Sequence, residues 1–182
     1  MVRDDRDDRR RREPRPINAA QLQELALGYA ARYATTVAKL RRYLVRKLRE
    51  RVWTGSEPAD IEALIGRIAA SGYVDDRAYA ILKTRELTGR GFGERRVRSA
   101  LSAAGVAPDD RGVVEDASPF VAAIAFARRR RFGPFARDGV VADPVRRRRE
   151  LAAMARAGHD FDVAQRVLAA VDEASAGALA DD

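Results

Sequence analysis

Apolar residues recur at helical intervals along most of this chain, from about residue 17 to about residue 171. Three segments carry the i, i+3, i+4, i+7 spacing that places apolar side chains on one face of a helix. Their apolar positions are Ile61, Leu64, Ile65 and Ile68, then Val97, Ala100, Leu101 and Ala104, and then Ala164, Val167, Leu168 and Val171. The apolar runs at 112–116 and 139–144 are short and lack the alternating partners of a sheet. The pattern therefore predicts an all-α fold.

Glycines and aspartates mark the ends of the predicted helices. Gly72, Gly105 and Gly158 each follow an apolar run, where glycine can take the left-handed conformation that ends a helix. Asp75 or Asp76 can then cap the next helix through a side-chain oxygen. We therefore expect short helices that are joined by tight turns.

A degenerate repeat organises these helices. Trp53, Val106 and His159 lie 53 residues apart, and an apolar residue stands five positions before each of them. Those apolar residues are Leu48, Leu101 and Met154. A period of this length fits a packet of three helices, which gains stability by stacking on its neighbour. We predict three such tandem repeats in an elongated, curved array.

The packet boundaries follow from the repeat and from the composition of the two ends. The three packets are expected at 17–73, 74–118 and 119–174. The first sixteen residues mix Arg and Asp with almost no apolar side chain, so we expect a disordered charged tail at 1–16. The last residues, 175–182, are expected to be frayed.

The composition excludes several classes of protein. Cysteine is absent, which excludes disulfides, thiolate metal sites and thiol nucleophiles. No stretch approaches the roughly 18 to 20 apolar residues of a membrane span, and the first residues lack the apolar core of a signal peptide. We expect a cytoplasmic protein that does not associate with a membrane.

The residues offer no convincing catalytic or metal site. His159 is the single histidine of the chain, so a structural role is expected for it. The run 89–93, Gly-Arg-Gly-Phe-Gly, follows a helix and lacks the Gly-Lys-Ser/Thr ending of a phosphate-binding loop. The pair Asp75 and Asp76 is better explained by capping than by acid–base chemistry. We predict that the protein is not an enzyme and that it needs no cofactor.

Basic residues are the remaining candidates for function. Lys and Arg number 35 against 27 Asp and Glu, which gives a formal net charge of +8. A generally Arg-rich composition accounts for part of this excess, and a single arginine is more often a solvated surface residue than a ligand. Clusters that recur in successive packets could form a stripe for phosphates or an acidic protein groove. The candidate partner-binding residues are Arg42, Arg46, Arg49, Arg90, Arg95, Arg96, Arg98, Arg128, Arg129, Arg130 and Arg131.

Three of these arginines have a predicted orientation. Arg95, Arg96 and Arg98 follow the glycine-rich turn on a helix whose opposite face is apolar. We therefore expect them to be free to bind a partner.

The segment Gly-Tyr-Val-Asp-Asp-Arg-Ala-Tyr-Ala at 72–80 closely resembles the central motif of the RecX regulatory proteins. The segments 26–44 and 90–106 continue the resemblance, which extends from about residue 19 to about residue 172. The motif residues are Gly72, Tyr73, Asp75, Asp76, Tyr79 and Ala80.

The resemblance implies tandem three-helix repeats and binding to the RecA recombinase filament, in recombination, DNA repair and the SOS response. It further implies that the protein generally restrains the ATPase and strand-exchange activities of RecA. A monomer is expected, and contact with single- or double-stranded DNA is left open. The first and third repeats depart from the family pattern: Thr36 and Lys39 stand at the usual Ser and Glu positions, the second helix is expected to reach Trp53, and His159 replaces the usual aromatic residue.

Two alternatives to a filament regulator stay open. One is a DNA-binding protein whose packets act as helix-turn-helix-like units on the duplex. The basic residues are spread, however, and Asn18 is the only asparagine, whereas a groove reader usually groups Asn, Gln or Arg on one helix. The other alternative is an adaptor with a different partner.

Overall fold

The computed structural model describes residues 15–111, 118–137 and 143–181. Within these ranges the chain forms nine α-helices, which confirms the all-α prediction. The helices are Ala19–Arg32 (α1), Val37–Arg49 (α2), Ile61–Ala70 (α3), Asp76–Gly89 (α4), Glu94–Ala104 (α5), Pro119–Arg130 (α6), Pro144–Arg156 (α7), Phe161–Ala169 (α8) and Glu173–Ala178 (α9). Short 3₁₀ turns occur at Pro108–Arg111 and Gly133–Phe135. The apolar runs at 112–116 and 139–144 lie almost entirely outside the described residues, as does the predicted tail up to residue 14.

The chain divides into two compact units, Met1–Val74 and Asp75–Asp182. Unit 1 packs α1, α2 and α3 around one apolar core, and Leu40 and Leu44 on α2 are fully buried in it. Each helix begins at a side-chain cap: Asn18, Thr36 and Asp60 accept backbone N–H groups of the first turn. These caps satisfy N–H groups that have no partner within the helix.

A two-residue parallel strand pair also belongs to unit 1. Pro16–Ile17 (β1) pairs with Val52–Trp53 (β2), and the N–H of Val52 donates to the carbonyl oxygen of Arg15 at 3.1 Å. Two expectations are corrected here. Residues 15 and 16, which were expected in the charged tail, take part in this pairing next to Ile17, which is fully buried. The second helix ends at Arg49 and does not reach Trp53, because the backbone of 52–53 is used in the strand pair.

Unit 2 contains two apolar cores. Leu101 and Val97 on α5 are fully buried against α4, while Met154 and Leu168 lie in the core formed by α6, α7, α8 and α9. Phe92, in the turn between α4 and α5, packs against both cores. The side chain of this one residue therefore links the two halves of unit 2.

The predicted helix ends are confirmed. Gly72, Gly105 and Gly158 all have positive φ, of 75°, 82° and 93°. Asp75 caps α4, since its Oδ1 accepts the N–H of Ala78 at 2.8 Å. The tight turns expected from the sequence are therefore present at these positions.

The C-terminal end differs from the expected frayed segment. Asp172 caps α9 by accepting the N–H of Ser175 at 2.7 Å, and Ala176 is fully buried in the core of α6, α7 and α8. Its small side chain permits close packing, and this burial stabilises the short helix.

Candidate functional site

Arginines of α6 and α7 line a groove of about 320 Å³ in unit 2. Arg130 ends α6 and Arg131 follows it, while Arg149 lies on α7. We call this the arginine groove; its lining residues are Arg130, Arg131, Phe132, Arg146, Arg149 and Glu150. Arg130, Arg131 and Arg149 are exposed. Three guanidinium groups, from the end of α6, the residue after it and α7, can therefore reach an anionic ligand.

A buried carboxylate organises one side of the arginine groove. Glu150 is only 6% exposed, and its Oε1 accepts from Nε of Arg146 at 3.0 Å. Its Oε2 accepts the N–H of Gly133 at 3.1 Å. A buried charge needs such partners, because it has lost its contacts with water. Glu150 thus fixes Arg146 and ties α7 to the turn after α6. The 53-residue repeat aligns Glu150 with Leu44 and Val97, which are fully buried, so the repeat points to a buried position but not to a charged residue there.

The backbone of Arg131 takes an unusual conformation. Its φ is 57°, in the left-handed region, and its N–H donates to the last carbonyls of α6. Glycine is the usual residue at such a helix end, and a side chain there costs about 1 kcal/mol. The conformation directs the chain from α6 into the turn that carries Phe132.

The other predicted arginines of α6 lie against the protein itself. The guanidinium of Arg128 lies 5.1 Å from the centroid of Phe135, and its Nε is 3.8 Å from a carboxylate oxygen of Glu173. Arg129 donates to the carbonyl oxygen of Arg90. Arg128 and Arg129 thus have partners within unit 2 although they are exposed, and the guanidinium of Arg130 likewise lies 5.8 Å from the centroid of Phe126.

The glycine-rich run forms a close crossing of two turns, which we call the glycine junction. The N–H of Gly93 donates to the carbonyl oxygen of Ala157 at 3.0 Å, and the N–H of Arg95 donates to the carbonyl oxygen of Gly158 at 3.1 Å. A methyl group on Gly93 would lie 2.5 Å from the carbonyl carbon and oxygen of Gly158, and one on Gly91 would lie 2.8 Å from the backbone nitrogen of Phe126. The glycines are needed for close backbone approach, so the run is a turn between helices, as predicted.

Arg95 is exposed, as expected, but its guanidinium already has one partner within unit 2. Its Nη2 donates to the carbonyl oxygen of His159 at 2.8 Å, so the side chain takes part in the glycine junction. Arg98 pairs with Glu94 one turn earlier on α5. Arg96 is exposed, although its backbone lies against Gly158. The sequence pattern placed all three outside the apolar core but could not show the second turn that crosses α5.

His159 is buried at the glycine junction, as its expected structural role requires. It is 2% exposed, its Nε2 lies 3.1 Å from the carbonyl oxygen of Gly91, and its ring lies 5.5 Å from that of Phe126. Burial lowers the pKa of His159 and the charge of Arg95 lowers it further, while the hydrogen bond to Gly91 opposes them. The neutral imidazole is therefore the favoured form in the folded protein.

We expect stability to fall as pH drops below about 6.5, the ordinary pKa of histidine. In the unfolded chain the imidazole protonates at that pH, whereas in the folded protein it resists protonation, so the unfolded state binds more protons. The stability that the neutral His159 contributes is fully present above about pH 6.5 and is lost as pH falls toward the lowered pKa of the folded state. Melting temperatures measured between about pH 7.5 and 5.5 should fall more for the wild type than for His159→Gln. Parallel curves would show that His159 does not carry the effect.

Unit 1 presents its predicted arginines on α2. Arg42, Arg46 and Arg49 are exposed, and Nε of Arg46 lies 3.6 Å from Glu50. The predicted arginines are thus found in both units. Among the described residues, the structure brings Arg130 and Arg131 into one groove with Arg149, and it brings Arg42 and Arg46 into one cleft of unit 1.

The residues of the 72–80 motif have mainly structural positions. Gly72 forms the turn and Asp75 caps α4, while Tyr79 and Ala80 are buried in the core of α4 and α5. Tyr73 is exposed. The motif therefore specifies a turn, a helix start and a packing face.

Two absences apply to the described part of the chain only. No three or more His, Asp or Glu side chains in it are arranged to hold a metal ion. None of its helices combines the length and apolar character that a bilayer span requires.

No model of a known protein family matches the chain. Curated relatives do match it, and several are named "Regulatory protein RecX". That of Myxococcus xanthus is 32% identical over 175 residues, which cover 91% of this chain and 93% of the relative. That of Agrobacterium fabrum is 32% identical over 151 residues, 80% of each chain. That of Thermus thermophilus is 41% identical over 96 residues, 52% of this chain and 61% of the relative. The identity extends over nearly the full length of the first relative, and so the chain belongs to the RecX family of regulatory proteins.

Proposed function

We propose that this protein binds the filament of the RecA recombinase and restrains its ATPase and strand-exchange activities, in recombination, DNA repair and the SOS response. The proposal rests on membership of a family of regulatory proteins and on the basic surfaces described above. The protein acts by binding and carries out no reaction of its own.

The arginine groove is the observation that most favours this function. Arg130, Arg131 and Arg149 line an open groove together with an aromatic residue, Phe132. A guanidinium group donates two parallel hydrogen bonds to a carboxylate, so the groove suits acidic side chains that flank an apolar one. Such a segment on the surface of the recombinase filament is the ligand that we propose.

We further propose that the helices form three tandem packets, at 17–73, 74–118 and 119–174. The three apolar clusters follow these ranges closely, although Val74 of the first cluster and Ala176 of the last lie just beyond them. Successive packets would then present their basic residues in corresponding places. In the second packet the described residues contribute α4, α5 and the 3₁₀ turn Pro108–Arg111.

Direct binding tests the proposal against its main alternative, a helix-turn-helix-like protein that binds duplex DNA. Fluorescence anisotropy of the labelled protein would be measured with recombinase filaments on single-stranded DNA, and with bare duplex DNA. We expect the filament to bind about tenfold or more tightly than the duplex. Equal or tighter binding of the duplex, with a steep loss as salt rises, would favour the alternative.

A further inference from the structure

Three tyrosines form a row at the end of α1 and on α2 of unit 1. The rings of Tyr29 and Tyr43 are stacked, with centroids 4.2 Å apart and planes 14° apart. The ring of Tyr33 lies 5.3 Å from that of Tyr29. Tyr29 and Tyr43 are partly buried against the core, whereas Tyr33 is 53% exposed. The row therefore extends from two partly buried rings to one exposed ring.

Two adjoining clefts, of about 560 and 360 Å³, run along this row. Both are lined by the three tyrosines and by Arg46. The other cations that line them are Arg32, Lys39, Arg42 and Lys47, and Glu24 lines the larger cleft. The surface is thus aromatic and mainly cationic.

The cations lie close to the rings. The guanidinium carbon of Arg46 is 5.6 Å and Nζ of Lys47 is 5.8 Å from the centroid of Tyr43. Glu50 pairs with both residues, at 3.6 Å and 2.6 Å, which keeps them beside the rings. A chain of phosphate groups that ran along the clefts would lie beside these cations, within reach of the exposed ring of Tyr33.

We propose that this surface binds single-stranded nucleic acid, with a base stacked on Tyr33 and phosphates held by Arg32 and Arg46. Stacking on an exposed ring needs a free base face, which a duplex hides and a single strand offers. Positive charge beside the ring holds the phosphates without reading the sequence. An acidic protein segment would use the cations but would leave the exposed ring without a stacking partner.

The inference goes beyond the proposed function. It concerns unit 1, whereas the arginine groove is in unit 2, and it is measured on DNA alone without recombinase. Failure of either proposal therefore leaves the other standing.

The test is binding of a fluorescent oligothymidine of about 20 nucleotides at low salt, with a same-length oligomer of abasic nucleotides for comparison. We expect Tyr33→Ala to weaken oligothymidine binding about tenfold, and Tyr33→Phe to bind as the wild type does, because stacking needs the ring and not the hydroxyl. The wild type should bind the abasic oligomer about tenfold more weakly, and Tyr33→Ala should show no such difference between the two oligomers.

Phe161→Ala is the matched control. Phe161 is also an exposed aromatic residue, at 59%, but Asp160 and Asp162 flank it in place of cations. Its removal should leave DNA binding unchanged. Circular dichroism and melting of each variant would show that the fold is retained.

A second variant tests the phosphate contact. Arg32→Ala should make the dependence of log affinity on log salt shallower by about 0.7, the value for one phosphate contact with a single strand. An unchanged slope would remove Arg32 from the site.

Three results would overturn the proposal. The first is equal binding of oligothymidine by the wild type and Tyr33→Ala. The second is equal binding of the abasic oligomer and oligothymidine by the wild type. The third is absence of oligothymidine binding by the wild type; if Tyr33→Ala then also lost filament binding, the surface would be assigned to a protein partner.

Discussion

The Gly158→Ala variant is expected to lose about 3 to 5 kcal/mol of folding free energy. Gly158 has a φ of 93°, which a residue with a side chain rarely adopts. A methyl group there would also overlap the backbone nitrogen and Cβ of Arg96 at the start of α5. Since these atoms belong to a helix, they cannot move aside as the end of a flexible side chain can. Urea denaturation followed by circular dichroism measures the loss.

Gly89→Ala is the matched control, because it makes the same substitution in unit 2. Gly89 is the last residue of α4, and a methyl group there would meet nothing within 4 Å. This variant should be neutral or slightly stabilising, since alanine restricts the unfolded chain and favours helix. If Gly158→Ala were as stable as Gly89→Ala, the glycine junction as described would be wrong.

Reversal of the charges of the arginine groove is expected to weaken binding to the recombinase filament about 100-fold, or about 2.7 kcal/mol. The variant carries Arg130→Glu, Arg131→Glu and Arg149→Glu. These side chains are exposed, so the fold should be nearly unaffected. Arg146 is left unchanged, because it neutralises the buried carboxylate of Glu150. Binding would be measured by anisotropy, with melting temperature as the check on folding.

A second triple variant distinguishes the effect of the arginine groove on affinity from the effect of net charge. Arg77, Arg85 and Arg156 are also exposed residues of unit 2, but they lie outside the groove. Their replacement by Glu changes the net charge by the same amount. We expect it to reduce affinity much less, mainly through slower association. Equal losses in the two variants would mean that net charge matters and the arginine groove does not.

The amphipathic helices were the part of the fold most accessible from the sequence. The spacing of Val97, Leu101 and Ala104 predicted α5, and all three are buried. The positive φ of Gly105 likewise follows from its place after the helix. These features depend on local periodicity and on one residue's conformational freedom, both of which are visible in a single sequence.

The features that were missed depend on contacts between segments distant in the sequence. Nothing local distinguishes the two-residue strand at Val52–Trp53 from a helix end, since its partner lies at Pro16–Ile17. Arg95 is a surface residue, as its position predicts, but its hydrogen bond to the carbonyl oxygen of His159 depends on a turn 64 residues away. The repeat aligns Glu150 with buried apolar residues, but what satisfies its charge there becomes visible only with its partners, Arg146 and Gly133.

The tyrosine row was missed for a similar reason. Tyr29 and Tyr33 lie one turn apart and could have been paired from the sequence, but the stacking of Tyr43 on Tyr29 requires the packing of α2 against α1. Attention to aromatic residues among the basic ones of 29–47 is the signal that could have found the surface.

The most direct test of the central claim is the rate of ATP hydrolysis by the cognate recombinase on single-stranded DNA, measured as this protein is added. We predict that the rate falls as the wild-type protein is titrated in. The Arg130, Arg131 and Arg149 variant should need a much higher concentration for the same fall, while the Arg77, Arg85 and Arg156 variant should act nearly as the wild type does. A hydrolysis rate that does not change with the wild-type protein, at concentrations where it is bound to the filament, would contradict the account.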